Sequence, residues 1–405
     1  MARLKARHEL HGRLRRELAN CVKCGACMAY CPVYRLDRTE SSSMRGKLAL
    51  LQSIEAGWPI PPGAVRKTLS RCVGCQTCRV TCPNKVDTGL ATILGKWLHA
   101  PPGLAGRLLL RAARFLRRYP AGRRFLMLVE ERRSSGLSPA STLRSLLKIT
   151  REYKFKKICN NKYINDGGAV PAGGVALIPG CRLAADGRAC RTALMLARPM
   201  GPAGILDGGC CGLPALAAGD LEGYAEAVSR LMDAILGRQP RSILFLCPEC
   251  WYAWHLAPDL CDLTPEEQRI WSMGADFHAA LAASGWEPDA RIGGRLALHE
   301  ACLYARGGGD RQAPRRLLER IAAEKPVRSF REGTCCGACG GLVYDEPEMA
   351  RRIADDRLDE LRAAGADTVV THCDRCRGFF LERAGTAGVR VKTLLELLGE
   401  AVKHG

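Results

Sequence analysis

The sequence predicts an α/β protein: a mostly helical N-terminal part, then two copies of one α/β unit. Three observations carry this. Short apolar runs rich in Val, Ile, Leu and Thr stand at "VALIPGC" (175–181), "SILFLC" (242–247), "LALHEAC" (296–302) and "TVVTHC" (368–373), as in buried strands. Helical patterns lie between them, such as "EGYAEAVSRLMDAILG" (222–237) and "PEMARRIADDRLDELRAAG" (347–365), each stopping at a glycine. Finally, the cysteines repeat. Cys181 matches Cys302, Cys211 matches Cys336 and Cys250 matches Cys376, at offsets of 121, 125 and 126 residues. A nearly constant offset argues for internal duplication, and alternating strands and helices give a mainly parallel sheet.

Four parts follow along the chain. Residues 1–100 hold eight cysteines in two runs, with a helix read over "SSSMRGKLALLQSIEAG" (41–57), Ser at its start and Gly at its end. Residues 101–170 form a basic linker. The first repeat occupies 171–290 and the second 291–405. Cysteines at the carboxyl ends of the predicted strands stand where such sheets usually place ligands.

Composition narrows the class. The 405 residues are 47% hydrophobic, enough for a packed core, and carry 22 cysteines and a net charge of +20. The opening "MARLKARHELHGRLRRELANC" is charged and lacks an apolar signal core, so a cytoplasmic location is expected. The longest charge-free run, Gly167–Cys181, has 15 residues, fewer than the roughly 20 a bilayer needs. Clustered cysteines in a reducing compartment read as metal or redox ligands. Charge is uneven: Lys96 to Lys157 holds 16 Lys/Arg against three Glu, a net of +13. A uniformly basic nucleic-acid binder would look different.

The first cysteine run is Cys21-x2-Cys24-x2-Cys27-x3-Cys31-Pro32, and the second is Cys72-x2-Cys75-x2-Cys78-x3-Cys82-Pro83. This is the bacterial ferredoxin spacing for 4Fe–4S cubanes, in which the fourth cysteine, beside proline, serves the other cluster. One cluster is therefore assigned to Cys21, Cys24, Cys27 and Cys82, the other to Cys72, Cys75, Cys78 and Cys31. Structural zinc also uses four cysteines, but the duplicated spacing is poor for it. The long helical link between the runs resembles the di-cluster ferredoxin module of respiratory iron–sulfur subunits.

Each repeat gathers five thiols. The first has Cys181, the adjacent pair Cys210 and Cys211, then Cys247 and Cys250. The second has Cys302, the pair Cys335 and Cys336, then Cys373 and Cys376. Adjacent cysteines make a poor disulfide, since their Cα atoms lie about 3.8 Å apart. Five thiols with a Cys-Cys-Gly core resemble the CCG cysteine-rich domain of heterodisulfide reductases and their relatives. There the five cysteines hold an iron–sulfur cluster, in some members a non-cubane 4Fe–4S form, and the glycine after the pair admits an unusual backbone next to the metal. The resemblance covers roughly 15–100 and 172–385. The CCG-bearing subunits of heterodisulfide reductase, and the iron–sulfur subunits of glycolate oxidase and of anaerobic glycerol-3-phosphate dehydrogenase, share the layout. "TCCGACGG" followed by "ADTVVTHCDRC" looks nearest the heterodisulfide reductase type. Two departures stand out: Cys339 replaces a small residue, and "HEAC" (299–302) lacks the usual proline before the cysteine.

The resemblance implies an electron-transfer and catalytic subunit of an anaerobic oxidoreductase. Two cubanes feed CCG-bound clusters that act on a disulfide, with Cys302, Cys335, Cys336, Cys373 and Cys376 as catalytic cluster ligands and His299 beside them. The alternative is an electron relay in a membrane-associated flavin dehydrogenase acting on glycolate, lactate or glycerol-3-phosphate and feeding quinone. The implied partners are a flavoprotein dehydrogenase and a membrane cytochrome or quinone-reducing subunit. No flavin site of its own is expected, because no G-x-G-x-x-G has a strand–helix context. A zinc-bearing binding module is the third reading, from a different class.

Among the remaining residues, Cys159, Cys190 and Cys261 read as buried thiols, and Cys339 as a candidate redox thiol near a metal. His299 and His372 read either as residues that tune a cluster or move protons or as structural histidines donating to a backbone carbonyl, and His255 as core. "LAGRLLLRAARFLRRY" (104–119) forms a basic amphipathic helix on the wheel. Leu104, Leu108, Leu109, Ala112, Phe115, Leu116 and Tyr119 lie opposite Arg107, Arg111, Arg114, Arg117 and Arg118. Such a helix suits an anionic membrane surface on the inner face of the membrane, or an acidic partner, or packing on its own protein. Nucleic acid is not expected, since few aromatics accompany the arginines.

Overall fold

The computed structural model describes residues 2–119, 122–123, 125–127, 129 and 170–402. Cys159 and most of the basic linker lie outside the described residues.

The N-terminal part is helical: α1 (Arg7–Ala19), α2 (Ala26–Ala29), α3 (Pro32–Asp37), α4 (Met44–Glu55), α5 (Pro62–Ser70), α6 (Thr77–Val80), α7 (Thr88–His99) and α8 (Leu104–Arg117). Leu10, Leu14 and Leu18 on α1, Leu48 and Leu51 on α4, and Leu90 and Leu94 on α7 are buried at three- and four-residue spacing. This is one apolar stripe per helix, turned inward. Ser43 starts α4, its side chain accepting from Gly46 N, a cap that satisfies one of the four free N–H groups of a helix start. A short strand, β1 (Arg3–Leu4), precedes these helices.

Two parallel sheets follow. The first contains β2 (Val175–Ile178), β3 (Ala203–Ile205), β4 (Ser242–Phe245) and β6 (Gly274–Asp276), in the order β3-β2-β4-β6. Between them in sequence, β5 (Cys261–Asp262) pairs antiparallel with β1 and ties the N-terminus to this repeat. The second sheet contains β7 (Leu296–His299), β8 (Thr368–Thr371) and β9 (Arg390–Thr393), in that order. Leu177 pairs with Leu244 in the first sheet, and Leu298 with Val370 in the second.

Both sheets are covered on both faces. Val175 and Leu177 enter one apolar cluster, while Ala176 and Ile178 enter the other. That is the period of two of a strand, and it explains why these strands read as unbroken apolar runs. The larger cluster also takes in Leu14 and Leu51 of the helical part, Phe245 of the first repeat and Phe380 of the second. The three parts thus share one core. The helices expected at 222–237 and 347–365 are observed at Leu221–Leu236 and Pro347–Ala363.

Candidate metal centres

The two ferredoxin-type runs fold into two similar loops. Cys27 lies on α2 and Cys78 on α6, each short helix preceded by a left-handed residue, Gly25 or Gln76. Pro32 opens α3 at its first position, where a missing N–H costs nothing, and sends the chain away directly after Cys31. One cavity is lined by Cys21, Cys24, Cys27, Cys78 and Cys82. A second is lined by Cys31, Cys72, Cys75 and Cys78, with Cys339 at its edge. Each fourth cysteine thus lines the cavity of the other run's triad.

The donor set fits iron–sulfur clusters. Gly74 N donates to Cys72 Sγ at 3.3 Å, the Cys75 thiol and Thr77 hydroxyl lie 3.2 Å apart, and the Cys78 thiol and Thr88 hydroxyl 2.9 Å apart. Such bonds to sulfur tune bound clusters. Burial pushes the Cys31 thiol up to about 11, a cost that metal binding, which requires thiolate, removes.

In each repeat the cysteines follow strand ends, Cys181 after β2, Cys247 after β4, Cys302 after β7 and Cys373 after β8. The adjacent pairs complete the groups. The neighbouring thiols Cys335 and Cys376 hold the Cys336 thiol well below the ordinary value against burial. Cys210 and Cys250 act on Cys211 with the same result. Cys336 and Cys376 lie 3.2 Å apart and Cys302 and Cys335 4.0 Å apart. Cys181 sits in the field of Cys211 and Cys247 and is pushed up to about 12, chiefly by burial. All five cysteines of the second group are buried, whereas Cys181, Cys211 and Cys247 of the first are only partly so.

The glycine after each pair is required twice over. Gly212 and Gly337 have φ of +85° and +82°, a region L residues rarely occupy. A Cβ on Gly212 would come within 2.8 Å of Tyr224, and one on Gly337 within 2.5 Å of the Ala350 carbonyl oxygen. The helix behind each site packs directly on this turn.

The groups adjoin one another. Arg306 Nη1 of the second repeat donates to Cys75 O at 2.7 Å, and Cys335 draws the Cys75 thiol down, so the second repeat's group adjoins the helical part. Leu342 N reaches Cys72 O at 3.4 Å beside it. Cys373 lies in the field of Cys247 across the two repeats. Between their Cys-x-x-Cys turns, Arg375 pairs with Glu249 at 2.6 Å, and Cys339 Sγ donates to the same carboxylate at 3.0 Å. Burial and Glu249 push the Cys339 thiol up, opposite to what a reactive thiol requires. The geometry makes Cys339 a donor to Glu249. The ion pair and the Arg306–Cys75 junction had no signal in the spacing. Glu249 and Arg375 do occupy the same position of two matched motifs, a clue that pairing across a duplication would have used.

His299 is fully buried, with Nδ1 3.5 Å from Arg357 Nε and the other ring nitrogen toward Cys336. Its ring lies within 4.8 Å of the Cys336 and Cys376 sulfurs. Burial pushes both His299 and His372 down. His255 bonds to Trp251 O at 2.8 Å and packs on Trp251, half-buried rather than in the core. Cys190 and Cys261 are buried thiols within the apolar clusters.

Helix α8 departs from the simple wheel reading. Arg114 pairs with Asp220 and reaches Glu222 and Glu226, and Arg118 reaches Glu226 at 3.5 Å. The acidic partner of these arginines is the protein's own helix Leu221–Leu236. Leu104, Leu108, Leu109, Phe115 and Tyr119 are exposed. Among the described residues, no helix is long and apolar enough to cross a membrane.

Comparison with known proteins agrees with this arrangement. The profile of the 4Fe-4S dicluster domain matches residues 17–86, and that of the cysteine-rich CCG domain matches 296–380. The chain carries a 4Fe-4S dicluster domain and a cysteine-rich CCG domain. Its dicluster domain gives two 4Fe–4S clusters, and its CCG domain is of an iron–sulfur-binding kind. It is 25% identical to a subunit of the fumarate reductase (CoM/CoB) of Methanothermobacter marburgensis, over 95% of this chain and 73% of that protein. It is 24% identical to the probable glycolate oxidase iron-sulfur subunit of Bacillus subtilis, over 96% and 95%. It is 26% identical to a subunit of the dihydromethanophenazine:CoB–CoM heterodisulfide reductase of Methanosarcina mazei, over 48% and 49%. This CCG-domain protein is an iron–sulfur subunit of an oxidoreductase.

Proposed function

We propose that the chain collects single electrons in its helical part and delivers them in pairs to a disulfide-type substrate at its CCG groups. The observation that carries this reading is the junction of the two halves at the second cysteine run, where Arg306 Nη1 donates to Cys75 O at 2.7 Å and Leu342 N to Cys72 O at 3.4 Å. In this reading Cys21, Cys24, Cys27 and Cys82 hold one cubane, and Cys31, Cys72, Cys75 and Cys78 the other. Each quintet, Cys181, Cys210, Cys211, Cys247 and Cys250 or Cys302, Cys335, Cys336, Cys373 and Cys376, holds a further cluster. When bound, such clusters supply one-electron storage, so neighbouring sites accumulate the two electrons a disulfide needs. Two electrons and two protons convert one disulfide into two thiols.

The residues divide the work. Cys24 is the exposed cysteine of the first group and marks the entry for a redox partner. The exposed side chains of Val22 and Tyr30 frame it. Lys23 stands there at φ +57°, where the second run has Gly74. A lysine held in a strained backbone at an exposed cluster edge supports a docking role. At the far end, the buried His299 lies within 4.8 Å of the Cys336 and Cys376 sulfurs, placed to tune charge on them. The exposed apolar residues of α8, with Arg107 and Arg111 beside them, support a peripheral contact with the inner face of the cytoplasmic membrane.

A second reading, relay between a flavoprotein dehydrogenase and quinone, is favoured by the near full-length similarity to the glycolate oxidase protein. Glu249, Arg375 and Cys339 also fill the space between the two Cys-x-x-Cys turns. Anaerobic assay of the purified chain separates the readings. Turnover of a disulfide with a reduced viologen and no partner supports the first. Inertness toward a disulfide panel, with quinone reduction restored by a flavoprotein partner, supports the second.

A further inference from the structure

Lys47 and Lys96 are 1% and 4% exposed, respectively. Both line the cavity of Cys31, Cys72, Cys75 and Cys78, and neither lines the cavity of Cys21, Cys24, Cys27 and Cys82. Lys47 Nζ donates to the carbonyls of Ser41 (3.2 Å), Ser42 and Ser43 (3.5 Å). Lys96 Nζ donates to Ala217 O at 2.9 Å. Among the described residues neither forms an ion pair with a carboxylate. A buried cation without a counter-charge is costly.

Local structure does not repay that cost at Lys47, which sits in the first turn of α4, where the positive end of the helix opposes a cation. Burial pushes its ammonium down, and Cys72, Cys31 and Cys78 are the groups that oppose the shift. For Lys96, burial lowers the value to about 8, with Cys72 again the largest opposing group and Asp345 a smaller one. The missing negative charge belongs to the contents of this cavity. Cations around the other site differ in kind: Lys23 is exposed, and Arg45 is paired with Glu40 at 2.7 Å.

We propose that Lys47 and Lys96 are the fixed counter-charges of a cubane held by Cys31, Cys72, Cys75 and Cys78, and that they make it the easier of the two cubanes to reduce. The inference rests on the cluster assignment proposed above. Reduction adds one negative charge to the site, and two buried ammonium groups stabilise it strongly where water is excluded. Charges near the exposed site are screened. Electrons entering beside Cys24 then run downhill toward Cys75 and the neighbouring Cys335.

The test is an EPR-monitored redox titration of the anaerobically purified full chain, its Lys47→Met and Lys96→Gln variants, and Lys23→Gln as an exposed control. Wild type should show two cubane signals. Each buried-lysine variant should shift one of them to lower potential by at least tenfold in equilibrium, about 59 mV for a one-electron couple, and leave the other in place. The control should move neither. If Lys47→Met fails to assemble, Lys96→Gln carries the same prediction. Full iron content with both signals unmoved, or both moved equally, overturns the inference alone. Absence of two cubane signals from wild type overturns the assignment on which it rests.

Discussion

Glu249 and Arg375 meet at 2.6 Å, and each is the third residue of a Cys-x-x-Cys turn, one in each repeat. The duplication has therefore placed opposite charges at equivalent positions and joined the two groups through them. Both side chains are about nine-tenths buried. Removing one partner strands the other, which typically costs about 3 kcal/mol or more. Glu249→Gln should lower the unfolding free energy measured in urea by that order and weaken the Cys339 hydrogen bond. The exchange Glu249→Arg with Arg375→Glu should recover part of the loss. Equal stability of the single variant and wild type would contradict the pairing.

Gly337 combines a left-handed backbone with a helix packed 2.5 Å from where its Cβ would stand. Gly337→Ala should cost about 1–3 kcal/mol from backbone strain alone and lower iron content selectively at the second quintet. Gly385, with nothing within 4 Å of its would-be Cβ, is the matched control. Iron analysis of both variants checks this.

A pH dependence resides in the helical part. His11 and His99 lie 2.9 and 2.8 Å from Glu55, and Arg15 lies 2.8 Å from it. Burial pushes the Glu55 carboxyl up, but its bonds to Arg15 and His11 hold it net below the ordinary value. Burial holds His99 below its ordinary value against the pull of Glu55. Each group binds protons more readily when unfolded, so each contributes stability that is lost on acidification. The His99 share begins to go as pH falls below about 6.5, and the Glu55 share below about 4.3. Thermal melts of His99→Gln should lack the first decline and keep the second.

Helix α8 separates two roles along its length. Leu104, Leu109 and Phe115 are exposed, while Arg114 is paired with Asp220. Replacing the three apolar residues with Gln should reduce co-sedimentation with anionic vesicles severalfold and leave thermal stability nearly unchanged. Arg114→Gln should do the reverse, lowering stability by leaving the buried Asp220 carboxylate without its partner. Unchanged vesicle binding in the triple variant would remove the membrane role of this face.

Much of the fold was legible because strands buried on both faces leave a plain apolar run, as at Val175–Ile178, and because Gly237 and Gly365 closed their helices near the observed ends. Cysteine spacing is likewise a local signal. What joins the parts is not local. Arg306 meets the Cys75 carbonyl across 231 residues of chain. Lys47 and Lys96 look like ordinary helix-surface lysines until packing closes over them. The wheel of α8 gave its two faces correctly, yet amphipathicity carries no information about which face meets the protein. Asp220 and Glu226 decided that.

The most direct test of the account is iron and acid-labile sulfide content, with EPR, on anaerobically purified protein in oxidised and reduced states. Four filled sites give about sixteen iron per chain, four for each, with reduced cubane signals and a distinct signal from the CCG groups. About eight iron with cubane signals alone would contradict four filled sites, leaving the quintets as thiols and the junction at Cys75 without a cluster on its far side.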